Sequence, residues 1–149
     1  MRGIHDRSYL DKLKGVDLFA GCSNDEIDRI AGLTTQIDVA AGRVLCVEGK
    51  PGEEFFVIAE GEAVVTRNGE ELARLGAGGF FGEMALLDGG PRVATVTAVT
   101  PMKLLVLNRS EFRSLVEVST MIDRRILEAI GLRARRLAAS VPPSHSVGI

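Results

Sequence analysis

From Thr34 to about Leu107 the chain is a succession of short runs rich in Val, Ile and Phe, parted by glycine turns. The runs are Gln36–Val39, Val44–Val47, Phe55–Ala59, Ala63–Arg67, Glu71–Leu75, Val93–Val99 and Met102–Leu107. Many short strands with regular turn signals predict a β-sandwich or β-barrel. Asn68-Gly69 is the clearest hairpin turn, because both residues tolerate positive φ. Helices flank the β region, so the fold class is mainly β with flanking helices (α+β). Residues 8–32 read as helical, with Leu10, Leu13, Leu18 and Phe19 as apolar positions. Ser23 followed by Glu26 is a capping-box pattern that starts the helix carrying Ile27, Ile30 and Ala31.

The segment 110–138 is helical again, with Ser110 as its expected cap. Its apolar stripe runs through Phe112, Leu115, Val116, Val118, Ile122, Ile126, Ile130 and Leu137. Gly131 is expected to break or kink it. The stripe has to be covered by the barrel or by a second copy, and a homodimer through this helix is the expected assembly. The tail 141–149, with Pro142-Pro143, reads as disordered.

A chain of 149 residues reads as one domain over residues 1–140. A domain of this size buries roughly 68–70% of its unfolded surface, enough for a real core. The net charge of −2 gives no basic footprint for nucleic acid. Too few residues follow Arg136 to add a helix-turn-helix, so DNA is not an expected partner. No apolar stretch approaches the ~20 residues of a membrane span. The N-terminal residues are polar and charged where a signal peptide needs an apolar run. The expectation is a cytoplasmic protein without membrane contact. Cys22 and Cys46 have no metal-ligand spacing and read as free thiols. His5 and His145 stand only near the ends, so no metal site, cofactor or catalytic triad is expected, and no enzyme.

The chemistry concentrates in Phe81–Val96, which holds glycine, acid and arginine within one short segment. Gly82 lets the backbone approach a ligand closely. Glu83 to Leu87 can form one helical turn whose first N–H groups lack partners and face an anion. Pro91 stiffens the exit, and Arg92 returns a planar guanidinium that suits a phosphate. Glu83 is unusual beside an anion unless it accepts hydrogen bonds from another group, such as a sugar hydroxyl.

This ordered set, Phe81-Gly82-Glu83-Met84-Ala85-Leu86-Leu87 followed by Pro91-Arg92-Val93-Ala94-Thr95-Val96, resembles the phosphate-binding cassette of the cyclic nucleotide-binding domain family. That family includes the catabolite activator protein and the regulatory subunits of protein kinase A. Gly42, Gly49, Gly52 and Gly61 also fall where the family places turn glycines, so the resemblance covers about residues 10 to 135. It implies an eight-stranded antiparallel jelly-roll β-barrel over residues 34–108, with N-terminal helices, the cassette and C-terminal helices. It implies a regulatory domain that binds a cyclic nucleotide and shifts its C-terminal helices.

By the same resemblance, Arg92 holds the cyclic phosphate, with backbone N–H groups of Gly82, Met84 and Ala85, and Ala94 as a small neighbour. Glu83 would hold the ribose 2′-hydroxyl. Family members that prefer cGMP often carry threonine where this chain has Val93, so cAMP is the expected ligand and cGMP the weaker one. Thr95 shares the face of Val93 by alternation and is a second candidate for contact with the base. Leu86 and Leu87 match a hydrophobic latch that docks on the C-terminal helices. Two departures stand out. Gly79 replaces a frequent aspartate, and the terminal helices offer no Trp or Tyr to cap the base, leaving Ile126, Ile130 or an arginine. The competing expectation is a binding-silent jelly-roll scaffold, and the downstream effector is unspecified by the sequence.

Overall fold

The computed structural model describes the backbone of residues 7–140 and their side chains other than those of 87, 88 and 134–140. The expected tail and both histidines lie outside the described residues. Helix α1 (Arg7–Lys14), a 3-10 turn (Asp17–Phe19) and α2 (Asn24–Leu33) precede the strands. The strands are β1 (Thr35–Val39), β2 (Val44–Cys46), β3 (Glu54–Glu60), β4 (Ala63–Arg67), β5 (Glu70–Leu75), β6 (Phe80–Phe81), β7 (Thr95–Ala98) and β8 (Met102–Asn108). The cassette helix α3 (Glu83–Asp88) sits between β6 and β7, and α4 (Arg109–Val118) and α5 (Thr120–Ser140) follow β8.

The strands form two four-stranded antiparallel sheets, in the orders β1-β8-β3-β6 and β2-β7-β4-β5. These are the pairings of the expected jelly roll. Side chains alternate across a strand, and here both faces of β3 and β8 are buried. Phe56, Ile58, Leu104 and Val106 point into the barrel with Phe81, Val65 and Val96. Phe55, Val57, Leu105 and Leu107 point outward and are covered by Leu13, Ile27, Phe112, Leu115 and Ile122 from the helices. The C-terminal stripe is therefore spent largely on its own barrel. Leu127 and Leu132 lie outside it, 59% and 58% exposed.

Local chemistry explains the turns. Asn68 and Gly69 adopt φ of 52° and 81° and join β4 to β5, as expected. The Ser23–Glu26 capping box closes in both directions at the start of α2. Cys22 and Cys46 are free thiols, and burial pushes Cys46 up to about 11.

Four local readings change. The C-terminal helix is capped by Asn108, not Ser110, because Asn108 and Glu111 form a full capping box two residues earlier. The helical segment breaks at Ser119, whose backbone is extended and whose hydroxyl accepts the Met121 N–H at 3.1 Å. Gly131 is not a break, since α5 runs through it; a lone glycine costs only ~1 kcal/mol against alanine in a helix. The run expected from Val93 becomes a strand only at Thr95. Arg92 accepts the Gly49 N–H at 2.6 Å and donates its own N–H to the Lys50 carbonyl at 2.8 Å, so the backbone here braces a loop.

Gly61 has φ of 101°, and a Cβ there would stand 2.5 Å from the Pro101 carbonyl oxygen and 2.9 Å from Met102 Cα. Both neighbours are backbone and cannot swing away. Gly61→Ala should therefore lower stability by ~1–3 kcal/mol. The shift is read as a lower urea midpoint with an unchanged slope.

Candidate functional site

The cassette begins where β6 ends. Phe80 and Phe81 are consecutive and face opposite ways, Phe80 toward the helices and Phe81 into the barrel. Phe81 stacks on Phe56 with centroids 4.7 Å apart, and Phe80 lies 5.6 Å from Phe55. Gly82 then turns the chain with φ of 96° and starts α3. A Cβ on Gly82 would stand 2.6 Å from the Glu54 carbonyl oxygen and 2.8 Å from Arg92 Nη1. Glycine is required there by conformation and by space together.

Arg92 is buried, 8% exposed. Its Nη1 donates to the Gly82 carbonyl at 3.0 Å and its Nη2 to the Glu54 carbonyl at 2.8 Å. Its side chain also packs so tightly on Gly52 that any Cβ there would collide with the guanidinium. Gly52 and Gly82 thus form a cradle with the guanidinium between them and the first turn of α3 alongside. The ion pairs among the described residues do not include Arg92.

Glu83 is fully buried, at 0% exposure. Its partner is not Arg92 but Arg133 of α5, whose Nη1 donates to Glu83 Oε1. Arg133 Nη2 donates to the Phe80 carbonyl, and the guanidinium lies over the Phe80 ring at 4.8 Å from its centroid. Glu83 Oε2 is buried and has no hydrogen-bond partner. Burial raises the Glu83 carboxyl above the ordinary carboxylate range, while Arg133 and then Arg92 pull it down.

The other expected residues take ordinary places around this centre. Ala85 and Ala94 are buried and Met84 is half-buried. Val93 is half-buried, and the Thr95 hydroxyl accepts the Glu48 N–H at 3.1 Å. Leu86 is buried in the outer core beside Phe112 and Leu115. The Leu87 side chain lies outside the described residues. Ile126 is buried in that same core and Ile130 packs at its edge, so neither stands free as a cap. Sequence reasoning missed Arg133, which was one of several arginines on the last helix. It also missed Arg109, which donates to the Leu86 carbonyl at 2.8 Å and ties α3 to the start of α4. Among the described residues no group of His, Cys, Asp and Glu could hold a metal ion, and no helix is long and apolar enough to cross a membrane.

These elements make a jelly roll that carries an arginine cradled against the first turn of a short helix, with a buried acid next to it. The chain belongs to the cyclic nucleotide-binding domain family, whose model matches residues 36–119. It is 37% identical over 118 residues to a cAMP-dependent protein kinase regulatory subunit of Yarrowia lipolytica, covering 76% of this chain and 32% of that one. It is 45% identical over 103 residues to a cyclic nucleotide-gated potassium channel of Mesorhizobium japonicum, covering 68% and 28%. The chain thus spans about a third of the length of these relatives. Among solved structures, a cyclic nucleotide-binding domain from Methylobacillus flagellatus superposes with a TM-score of 0.73 at 27% identity, covering 92% of this chain and 82% of that one.

Gly52→Ala tests the cradle apart from the arginine. The added methyl should push the Arg92 guanidinium off its two carbonyls, and anion binding should weaken by roughly tenfold or more. Circular dichroism should show an unchanged fold. Wild-type affinity in the variant would mean that Arg92 does not need this seat.

Proposed function

We propose that this domain is a sensor of cyclic nucleotides, with cAMP preferred over cGMP, and that ligand binding repositions its C-terminal helices. The observation that carries the reading is Arg92, a buried cation whose described partners are two neutral carbonyls. A buried charge is costly without a counter-charge, and an anion between Arg92 and the first N–H groups of α3 would supply one. A cyclic phosphate fits that place, with Arg92 and the backbone of Gly82, Met84 and Ala85 as its donors and Ala94 leaving room. The unpartnered Oε2 of Glu83 supports the second half of the ligand, since a ribose hydroxyl would give it the donor it lacks. Val93 has no hydroxyl to offer a guanine, which favours cAMP; Thr95 is the other side chain proposed beside the base. The relatives' dependence on cAMP and cyclic nucleotides agrees with this reading.

Leu86 and Leu87 are the proposed latch, because α3 carries them and Leu86 is buried in the same outer core as Phe112 and Leu115 of α4. A ligand moves such an equilibrium only by binding one arrangement better than the other. The output is regulatory and not catalytic, and it acts on other protein segments. On the same reading, Leu127 and Leu132 are the α5 residues that a homodimer would cover.

Calorimetry with cAMP, cGMP and 5′-AMP tests the proposal. Wild type should bind cAMP best and 5′-AMP least. Arg92→Ala should lose ~2–5 kcal/mol of binding, roughly thirtyfold to several thousandfold. Absence of heat with every cyclic nucleotide would leave a binding-silent scaffold as the better description.

A further inference from the structure

Among the described residues, two buried side-chain polar atoms have no hydrogen-bond partner: Glu83 Oε2 and Arg67 Nη1. The first is an acceptor and has its place in the reading above. The second is a donor and stands outside the cassette. We propose that Arg67 reads the base of the ligand, its Nη1 donating to an unprotonated ring nitrogen of a purine. The inference rests on the cyclic nucleotide reading above and deepens it.

Arg67 is the last residue of β4. Ala63 and Val65 of the same strand both belong to the inner core, so alternation turns Arg67 to the inside of the barrel. β4 runs against β7 as Val65↔Val96 and Thr66↔Thr95, and one further step sets Arg67 beside Ala94, which is itself in the inner core. On the other side β5 is irregular. Val65 faces Ala73 and Thr66 faces Glu71, so Leu72 is the extra residue of a bulge. Leu72 packs against the inner core as well. This end of the barrel thus has apolar walls, and Arg67 brings a guanidinium to them. Ala94 is two residues after Arg92, at most ~7 Å along the chain, and neighbouring strands lie ~5 Å apart. A nucleotide whose phosphate meets Arg92 therefore has its base within reach of Arg67.

The neighbouring acids do not serve it. Glu70, its cross-strand neighbour, is exposed, and the ion pairs among the described residues do not include Arg67. The Glu48 carboxylate accepts the Asn68 N–H, at 3.1 and 3.3 Å from its two oxygens, and Glu71 accepts from Arg74. A guanidinium has donors only and stays charged, so the partner it lacks is an acceptor. Leaving a buried donor unpaired is costly, and a ligand that pairs it gains that cost back. The bare ring nitrogens of a purine are such acceptors, and its flat apolar faces suit the walls formed by Val65 and Leu72.

The test is calorimetry of wild type and Arg67→Met with cAMP and its 1-deaza, 3-deaza and 7-deaza analogues, each of which turns one ring nitrogen into C–H. Wild type should bind one analogue roughly tenfold to a hundredfold more weakly than cAMP. Arg67→Met should lose cAMP affinity by a similar factor and should no longer tell that analogue from cAMP. The analogue whose penalty vanishes identifies the nitrogen. Arg92→Ala should instead weaken cAMP and all three analogues alike. A wild type that binds all four ligands equally would overturn the inference, and that measurement needs no variant to fold. So would an Arg67→Met protein that binds cAMP as well as or better than wild type, or that still discriminates against the same analogue. An equal loss for every ligand in Arg67→Met would overturn it too, since the guanidinium would then serve the phosphate or the sugar. In each of these cases cAMP binding by the wild type leaves the cyclic nucleotide reading standing. A wild type that binds none of the four would remove that reading and this inference together.

Discussion

A carboxylate taken out of water needs a cation and hydrogen-bond donors, and Glu83 has been taken out completely. That requirement shapes the molecule around it. It draws Arg133 from the last helix onto the cassette, and Arg133 in turn fastens to the Phe80 carbonyl and ring. Arg92, in the same cradle and far nearer in the sequence, does not form the ion pair with Glu83. Its guanidinium is committed to the carbonyls of Gly82 and Glu54. Two arginines thus divide the site, one held ready beside the helix start and one bound to the acid.

This division depends on the two-sided burial of the central sheet. β3 and β8 separate an inner core from an outer one, and the outer core is where α4 and the start of α5 rest. Leu86 of the cassette packs into the outer core with Phe112 and Leu115, while Ala94 packs into the inner one with Val96. The cassette therefore touches both. Arg109 adds a polar tie from the first residue of α4 to the Leu86 carbonyl. Packed interiors switch between discrete arrangements and do not deform continuously, so a shift of α3 has to be taken up by these helices.

What the sequence made legible is what is local. Asn68-Gly69 declares its turn because positive φ is an intrinsic preference. Ser23 and Glu26 declare a helix start because three residues separate the two ends of the capping box. Gly82, Glu83 and Arg92 are close enough together for their pattern to be read as a unit. Local rules also misled where two signals competed. Ser110 looked like a cap, yet Asn108 took that place because Glu111 stands three residues after it. Phe80–Phe81 is too short for a period to show, and its pairing with Phe56 and Val57 comes from the sheet alone. Arg133 was beyond reach for a different reason. Its partner lies 50 residues back, and among many arginines only the rotation and placement of α5 single it out. Gly52 read as one turn glycine among several, and its contact with Arg92 exists only once loop and cassette have met.

The four residues Phe80, Phe81, Gly82 and Glu83 explain why so short a segment can matter to the whole domain. Phe80 fills the outer core and carries Arg133, Phe81 fills the inner core on Phe56, Gly82 admits Arg92, and Glu83 holds the last helix. Consecutive residues share one backbone, so none of these contacts can shift far without moving the others. Gly82 is the joint: its left-handed φ of 96° is open to few other residues, and the space at its Cα is already filled by Glu54 and Arg92. On the proposed function, a charge arriving at Arg92 would act on the peptide that positions Glu83, and through Glu83 on α5. Such a path would need no relay through the barrel, because Gly82 and Glu83 are adjacent and Arg133 of α5 is bound to Glu83 directly.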